Sequence, residues 1–240
     1  MIKSSKSIVY AFPHAGAGTG IYNDWVKQSR NDKNIIIVPV GIPGRDKLSR
    51  ENIIDDLFCL TDRIATDIYT DFMQRSKNEY LNFVTFGHSF GGVLSFIVSQ
   101  KIDLKFNLTP LLSIISGSIP PSIQQEDERH LWTDKEILSK MRIDNGTPER
   151  ILNEPAIARR LVTSLRTDYI LRHQFLEYRH TKVHQPLSII AADKDEHVSK
   201  DILLAWQEHS YLPINITEIK GGHFSIYQNY YTVVSLLNQN

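Results

Sequence analysis

Residues 81–86 (LNFVTF), 87–92 (GHSFGG) and 93–101 (VLSFIVSQK) decide how this chain is read. An apolar, aromatic-rich run ends at Phe86, a serine framed by glycines follows, and then comes an apolar run of helical period. Gly87-His88-Ser89-Phe90-Gly91 has the G-x-S-x-G spacing, in the strand–turn–helix setting that this spacing needs. A serine on so sharp a turn is driven toward φ > 0, at a cost of about 1–3 kcal/mol for a non-glycine residue. Gly87 and Gly91 remove the Cβ atoms that would collide across the turn, and Gly92 lets the new helix lie close to the sheet. The turn lifts the Ser89 hydroxyl clear of the strands, at a helix N-terminus where backbone N–H groups favour negative charge. Five residues alone are also compatible with a plain Gly-Ser turn, so the rest of the chain decides.

Apolar runs at 7–12 (SIVYAF), 35–40 (IIIVPV), 111–116 (LLSIIS), 186–192 (PLSIIAA) and 215–219 (NITEI) read as further strands. Helical patterns lie between and after them, at 22–28, 52–75, 90–101, 164–177, 199–208 with Ser199 as cap, and 225–238. This alternation predicts an α/β fold, with a mostly parallel central sheet and helices on both faces. In the helix over 52–75, Ile53, Ile54, Leu57, Leu60, Ile64 and Ile68 share one side. Cys59, inside that helix, is expected as a buried or half-buried thiol.

Residues 124–162 break the texture. They are charged, interrupted at Asn145-Gly146-Thr147-Pro148, and carry short helical pieces at 135–142, 148–152 and 155–161. An insertion at this place sits over the C-terminal ends of the strands, where such sheets bind ligands. A small helical lid inside a single domain over 1–240 is therefore expected; the plainer reading is a surface helical segment.

Composition narrows the function classes. Lysine plus arginine, 27, equals aspartate plus glutamate, 27, so nothing marks a nucleic-acid footprint. The single cysteine excludes an internal disulfide and a cysteine metal cluster and fits a reducing cytoplasm. No run reaches the ~18 apolar residues of a membrane helix, and the first residues lack an apolar leader. The loop 13–20 (PHAGAGTG) after the first strand is glycine-rich, but its spacing is G-x-G-x-G and no acidic residue ends the second strand, which argues against a dinucleotide site. It reads better as a loop whose backbone N–H groups face an anion.

A serine hydroxyl becomes a useful nucleophile only when a base takes its proton and a third group orients that base. One known chain order for such a set is serine, then an acid, then histidine, each past the C-terminal end of a strand. Here Ser89 follows one strand, Asp193 and Asp195 a later one, and His223, preceded by two glycines, the last. The spacing from Ala192 to Val198 favours Asp195 as the acid and leaves Asp193 as a turn or capping residue. His14 and His88 flank the expected site as packing or hydrogen-bonding residues. The expected oxyanion donors are the backbone N–H groups of Phe90 and Ala15.

The motifs Pro13-His14-Ala15-Gly16, Ile42-Pro43-Gly44-Arg45-Asp46, Gly87-His88-Ser89-Phe90-Gly91-Gly92, Leu165-Arg166-Thr167-Asp168-Tyr169 and Gly221-Gly222-His223-Phe224 follow one another along the chain. Together they resemble the successive signatures of type II (external, editing) thioesterases of non-ribosomal peptide and polyketide synthases. That resemblance implies an α/β-hydrolase that cleaves acyl, aminoacyl or peptidyl thioesters from the phosphopantetheine arm of carrier proteins. It implies Ser89, Asp195 and His223 as triad, Ala15 and Phe90 as oxyanion donors, no cofactor or metal of the enzyme's own, acyl or peptidyl carrier domains as partners, no nucleic acid, no membrane, and a cytoplasmic setting. Two positions depart from the family pattern: Phe90 stands where methionine is common, and Ala191-Ala192 stands where Gly-Gly is usual. A generic carboxylesterase or lipase, or an acyltransferase, would share the same acyl-serine. A non-catalytic carrier-binding module would need a broken triad.

Overall fold

A computed structural model describes residues 6–144 and 146–238. Strands β1 (Lys6–Phe12), β2 (Ile35–Pro39), β3 (Leu81–His88), β4 (Leu112–Ser116), β5 (Leu187–Ala192) and β6 (Asn215–Ile219) form one sheet in the order β2-β1-β3-β4-β5-β6. Every pairing is parallel. Helices α1 (Asn23–Ser29), α2 (Leu57–Arg75), α3 (Phe90–Phe106), α4 (Asp134–Asp144), α5 (Glu149–Leu152), α6 (Pro155–His173), α7 (Lys200–Leu204) and α8 (Tyr230–Leu237) fill the connections.

The inner strands β1, β3, β4 and β5 are buried on both sides, so their apolar residues divide between two cores. Ile8, Tyr10 and Phe12 of β1 point to one face, which α2 and α3 cover with Leu57, Leu60, Ile64 and Phe96. Val9 and Ala11 point to the other, covered by Trp25 of α1 and by Tyr230, Val233 and Leu236 of α8. A third, smaller core lies off the sheet, where Ile137 and Met141 of α4 and Leu152 of α5 meet Val162, Leu165 and Tyr169 of α6. The charged stretch 124–162 builds this third core together with Leu165 and Tyr169, further along α6. Asn145, in its expected interruption, lies outside the described residues. No helix among the described residues is long and apolar enough to cross a membrane.

Several boundaries differ from the sequence expectation. The helix expected from residue 52 begins at Leu57, because the Asp56 carboxylate accepts the Cys59 N–H at 2.7 Å and caps it. Ile53 is consequently exposed in the preceding extended segment. Cys59 is exposed rather than buried: it falls outside the stripe formed by Leu57, Leu60, Thr61, Ile64 and Ile68. The pieces expected at 155–161 and 164–177 are one helix, α6, because no breaker separates them and Pro155 starts the run at its first turn. The C-terminal helix is interrupted: His223–Gln228 is a 3₁₀ turn and α8 starts only after Asn229. Likewise α7, capped by Ser199, continues from Ala205 to His209 as 3₁₀.

Candidate active site

The turn between β3 and α3 carries Ser89 at φ 54°, ψ −120°. The crowding around it is direct. A Cβ on Gly91 would lie 2.4 Å from the Pro13 carbonyl oxygen and 2.5 Å from that of Phe12, and one on Gly87 would lie 2.0 Å from the Gly91 carbonyl oxygen. The turn is pinned to β4 and the loop after it, since the Ser89 N–H donates to the Ser116 carbonyl at 2.9 Å and the Ser118 hydroxyl donates to the Ser89 carbonyl at 2.6 Å. Backbone strain is thus held by hydrogen bonds and packing on both sides.

Asp195 follows β5 and His223 follows β6, and the two meet: His223 Nδ1 lies 2.8 Å from Asp195 Oδ2. A carboxylate beside a ring nitrogen makes that nitrogen the N–H donor, which leaves Nε2 with a lone pair. The other oxygen, Asp195 Oδ1, accepts the N–H groups of His197 at 2.8 Å and Val198 at 3.1 Å. Burial pushes the Asp195 carboxyl up, but the His223 ring and these two N–H groups overcome it and hold the group below the usual carboxylate range. Asp193 plays a different part: it accepts the Gly221 N–H at 2.8 Å and pairs with Lys220 at 2.9 Å, fixing the turn that carries His223.

Ser89, Phe90, Ala15 and His223 all line one cavity of about 360 Å³, with Asp195 behind the histidine. This is an ordinary size for a small-molecule site. The N–H of Phe90 opens α3, where the helix itself supplies no acceptor. Neither it nor the Ala15 N–H is claimed by an acceptor among the described residues. The glycine-rich loop does turn N–H groups toward anions, but two of these are the chain's own carboxylates. Gly16 N–H donates to Asp168 at 2.6 Å and Thr19 N–H to Asp46 at 2.6 Å.

Two features of the site, Gly117 and a buried ion pair, escaped the sequence reading, while a third, the placing of His88 and His14 as packing and hydrogen-bonding neighbours, agrees with it. Gly117, at φ 50°, leaves room for the acid and base, since a Cβ there would lie 3.2 Å from Asp195 Oδ2 and 3.4 Å from His223 Cε1. His88 packs against His223 with ring centroids 4.6 Å apart. Its Nδ1–H donates to the Ser116 carbonyl at 3.1 Å, and its buried Nε2 has no partner. Burial, followed by the charges of His223 and His14, drives His88 well below the ordinary histidine value. His14 shares a 2.5 Å hydrogen bond with the Tyr227 hydroxyl and is pushed down to about 3 by burial, with His223 and Arg45 adding to the effect. Both rings are thus neutral neighbours of His223 at neutral pH. The buried ion pair is Arg45–Asp168, which holds Gly16 and therefore the loop that carries Ala15. Both residues stand in the quoted motifs, but 123 positions separate them and nothing in the sequence joins them.

No group of three or more histidine, cysteine or carboxylate side chains suited to a metal ion occurs among the described residues.

Comparison with known proteins gives three findings. The family model described as a thioesterase domain matches residues 7–240. Among relatives, the gramicidin S biosynthesis protein GrsT of Aneurinibacillus migulanus is 25% identical over 236 residues, covering 98% of this chain and 88% of that protein. Among solved structures, ClbQ from the colibactin NRPS/PKS pathway has a TM-score of 0.82 at 23% identity, covering 98% of this chain and 96% of that one. RedJ, a thioesterase from the prodiginine pathway of Streptomyces coelicolor, has a TM-score of 0.83 at 21% identity, covering 98% of this chain and 87% of that one. The structural likeness shows the fold, that of an α/β-hydrolase, and the family match over nearly the whole chain shows the rest: the chain belongs to the thioesterase family and is a thioester hydrolase.

Proposed function

We propose that this enzyme hydrolyses acyl, aminoacyl or peptidyl thioesters carried on the phosphopantetheine arm of carrier domains, and so clears misprimed or stalled synthases, with Ser89, His223 and Asp195 as triad. The observation that carries the residue roles is the 2.8 Å contact of His223 Nδ1 with Asp195, which leaves Nε2 free on the cavity that Ser89 also lines. Relatives named for gramicidin S biosynthesis and for the colibactin NRPS/PKS pathway support the choice of carrier-bound substrates.

In this reading His223 Nε2 takes the Ser89 proton as Oγ attacks the thioester carbonyl. The tetrahedral oxyanion rests on the N–H groups of Ala15 and Phe90. Collapse breaks the C–S bond, and the imidazolium returns its proton to the leaving thiolate. Water, deprotonated by the same nitrogen, then attacks the acyl-serine, and the products are free acid and regenerated serine. Asp195 stays ionised throughout and stabilises the imidazolium. Residues 124–162 act as a lid, packed through Ile137, Met141 and Leu152 onto Leu165 and Tyr169 of α6. The carrier supplies the phosphopantetheine, so the enzyme needs no cofactor of its own.

The test is incubation with a panel of acyl-pantetheine and acyl-carrier thioesters, followed by intact-mass analysis. The expected result is a transient acyl adduct on Ser89, release of free acid, and loss of both in Ser89→Ala with the fold unchanged. Equal or faster turnover of matched oxyesters would favour a generic esterase, and transfer to an acceptor without free acid an acyltransferase. Deleting residues 126–145 is expected to alter preference among carrier-linked substrates.

A further inference from the structure

The cavity beside Ser89 is apolar where Phe90 stacks on Phe175, their rings 5.3 Å apart. Three positions before Phe175, at the end of α6, Arg172 borders the same cavity. Its Nε donates to Gln124 Oε1 at 3.2 Å and lies 3.6 Å from Asp127 Oδ2. The two terminal nitrogens of its guanidinium have no acceptor among the described residues.

Asp127 is already committed elsewhere. Arg129 grips both its oxygens, with Nε at 2.8 Å from Oδ1 and Nη2 at 2.5 Å from Oδ2. Arg129 also lies over the Tyr169 ring at 4.2 Å and borders the cavity. Two guanidiniums therefore share one carboxylate, and one positive charge is left over. Glu126 and Glu128 are exposed and line a neighbouring cleft that Asp127, Arg129 and Arg172 also border, but they make no hydrogen bond to either arginine among the described residues. Lys140 and Asp144, elsewhere on the cavity wall, pair with each other. Burial lowers Arg172, and the charge of Arg129 lowers it further. An arginine keeps its proton even so. An uncompensated charge in a half-dry cavity is unfavourable until an anion meets it, and a guanidinium with open terminal N–H groups is shaped for a carboxylate.

We infer that Arg172 is the centre of a carboxylate subsite in the acyl cavity, and that the preferred acyl groups carry a carboxylate at the end away from the thioester. This rests on the acyl-serine reading of Ser89 given above. Arg172 is a specificity residue here: it holds the distal end of the acyl chain and takes no part in the bond changes at Ser89. Gln124 and Asp127 hold the Nε side of its guanidinium, which leaves the terminal nitrogens open.

A second anion could come to the same arginine, the phosphate of the phosphopantetheine arm, so the test uses phosphate-free pantetheine thioesters as well as phosphopantetheine ones. Two acyl series of matched length are compared: succinyl, glutaryl and adipyl against butanoyl, pentanoyl and hexanoyl. For the pantetheine thioesters, at least one carboxyacyl group is expected to exceed its matched alkyl group in kcat/KM by about tenfold or more, on the scale of one charged hydrogen-bonded pair. Arg172→Gln is expected to remove that preference, lowering the carboxyacyl rates by about 10–100-fold and leaving the alkyl rates within about threefold, inside the range of a neutral contact change. Arg172→Lys, which keeps the charge without the fork, is expected to retain part of the preference. The inference is overturned if the wild-type enzyme prefers the alkyl group at every length, if Arg172→Gln lowers both series alike, or if the variant affects only the phosphate-bearing thioesters. Hydrolysis of neither series, with no adduct on Ser89, would overturn the acyl-serine reading itself and this subsite with it.

Discussion

Arg45 and Asp168 form a buried, two-pronged ion pair that ties the loop after β2 to helix α6 and, through Gly16 and Ala17, holds the loop after β1. Arg45 Nη1 donates to Asp168 Oδ2 at 2.9 Å, Nη2 donates to Oδ1, and the two side chains are 7% and 0% exposed. The same guanidinium donates to the carbonyls of Ala17 at 3.0 Å and Ser164 at 3.2 Å. The Asp168 carboxylate also holds the Gly16 N–H. One charge pair thus sets the position of Gly16, and with it the Ala15 N–H that faces the cavity.

Removing one member of such a pair leaves the other charge buried and unpaired, which costs about 3–5 kcal/mol. Arg45→Met and Asp168→Leu are each expected to lose about that much in urea unfolding, while the double variant loses less than either single one. Asp168→Asn keeps an acceptor for Gly16 but removes the charge that fixes Arg45, and with it the loop. It is expected to lower kcat by about 10–100-fold, toward the loss seen when an oxyanion donor is misplaced, with a smaller effect on KM. A drop in stability with unchanged kcat would restrict the pair to a structural role.

The strained elbow separates stability from activity. Ser89 at φ 54° carries about 1–3 kcal/mol of backbone strain. Ser89→Ala keeps that strain and Ser89→Gly releases it, less the ~0.5–1 kcal/mol that glycine loses to chain entropy. Both variants are expected to be inactive. Ser89→Gly should be more stable than Ser89→Ala by about 1 kcal/mol, a melting shift of roughly 2–4 °C for a chain of this size. Equal melting temperatures would show that the elbow stores no strain.

Much of this architecture is legible in the residues, and the gaps have physical causes. The strands are legible because each is a short apolar run bounded by turn residues, and β6 has the bounds expected of it. The elbow is legible because its spacing is local and Gly87 answers to Gly91 and Ser95, although Gly91 is crowded by Pro13 and Phe12 and Gly92 by Ser118 and Ile115. Helix ends are less so: the start of α2 depends on Asp56 as cap and on Gln174, whose Oε1 takes the Leu57 N–H at 2.7 Å from 117 positions away. The Arg45–Asp168 pair and the tilted packing of His88 against His223 are invisible for the same reason, since both are made by chain closure. Asp195 and Asp193 look equivalent by composition; which one meets His223 depends on how the turn after β5 packs against the turn after β6.

The two buried neutral histidines predict an acid limb in the stability profile. His14 is pushed down to about 3 and His88 lies well below its ordinary value, both chiefly by burial. In the unfolded chain each takes up a proton near pH 6.5. Between about pH 6.5 and pH 3 the unfolded state therefore binds more protons than the folded one, and stability falls as pH falls. The slope is about 1.4 kcal/mol per pH unit for each histidine, and about 2.7 for the pair. Asp195, held below its ordinary value, adds to the loss only at the acid end, within the carboxylate range. Urea midpoints from pH 8 to pH 4 are expected to fall along this limb. His88→Asn, which keeps a donor for the Ser116 carbonyl, should remove about 1.4 kcal/mol per pH unit from the slope, leaving the share of His14 and of the other histidines lowered by burial, His197 and His209.

Phe90 serves the site through its backbone and its ring separately, which makes it a clean probe of chain-length selection. Its N–H opens α3 beside the serine, while its side chain, 5% exposed, stacks on Phe175 and narrows the cavity. Phe90→Leu keeps the N–H and removes aromatic volume, at a cost of about 1 kcal/mol for an imperfect swap in a packed wall. The proposed oxyanion donor is untouched, so kcat on the shortest acyl group should change by less than about threefold, the range of a side chain with no role in the transition state. Longer acyl groups, which need the space the ring occupies, should gain in kcat/KM by about 10-fold, the value of one or two methylenes newly accommodated in an apolar pocket. A uniform loss across all chain lengths would mean that the ring positions the elbow and does not select the substrate.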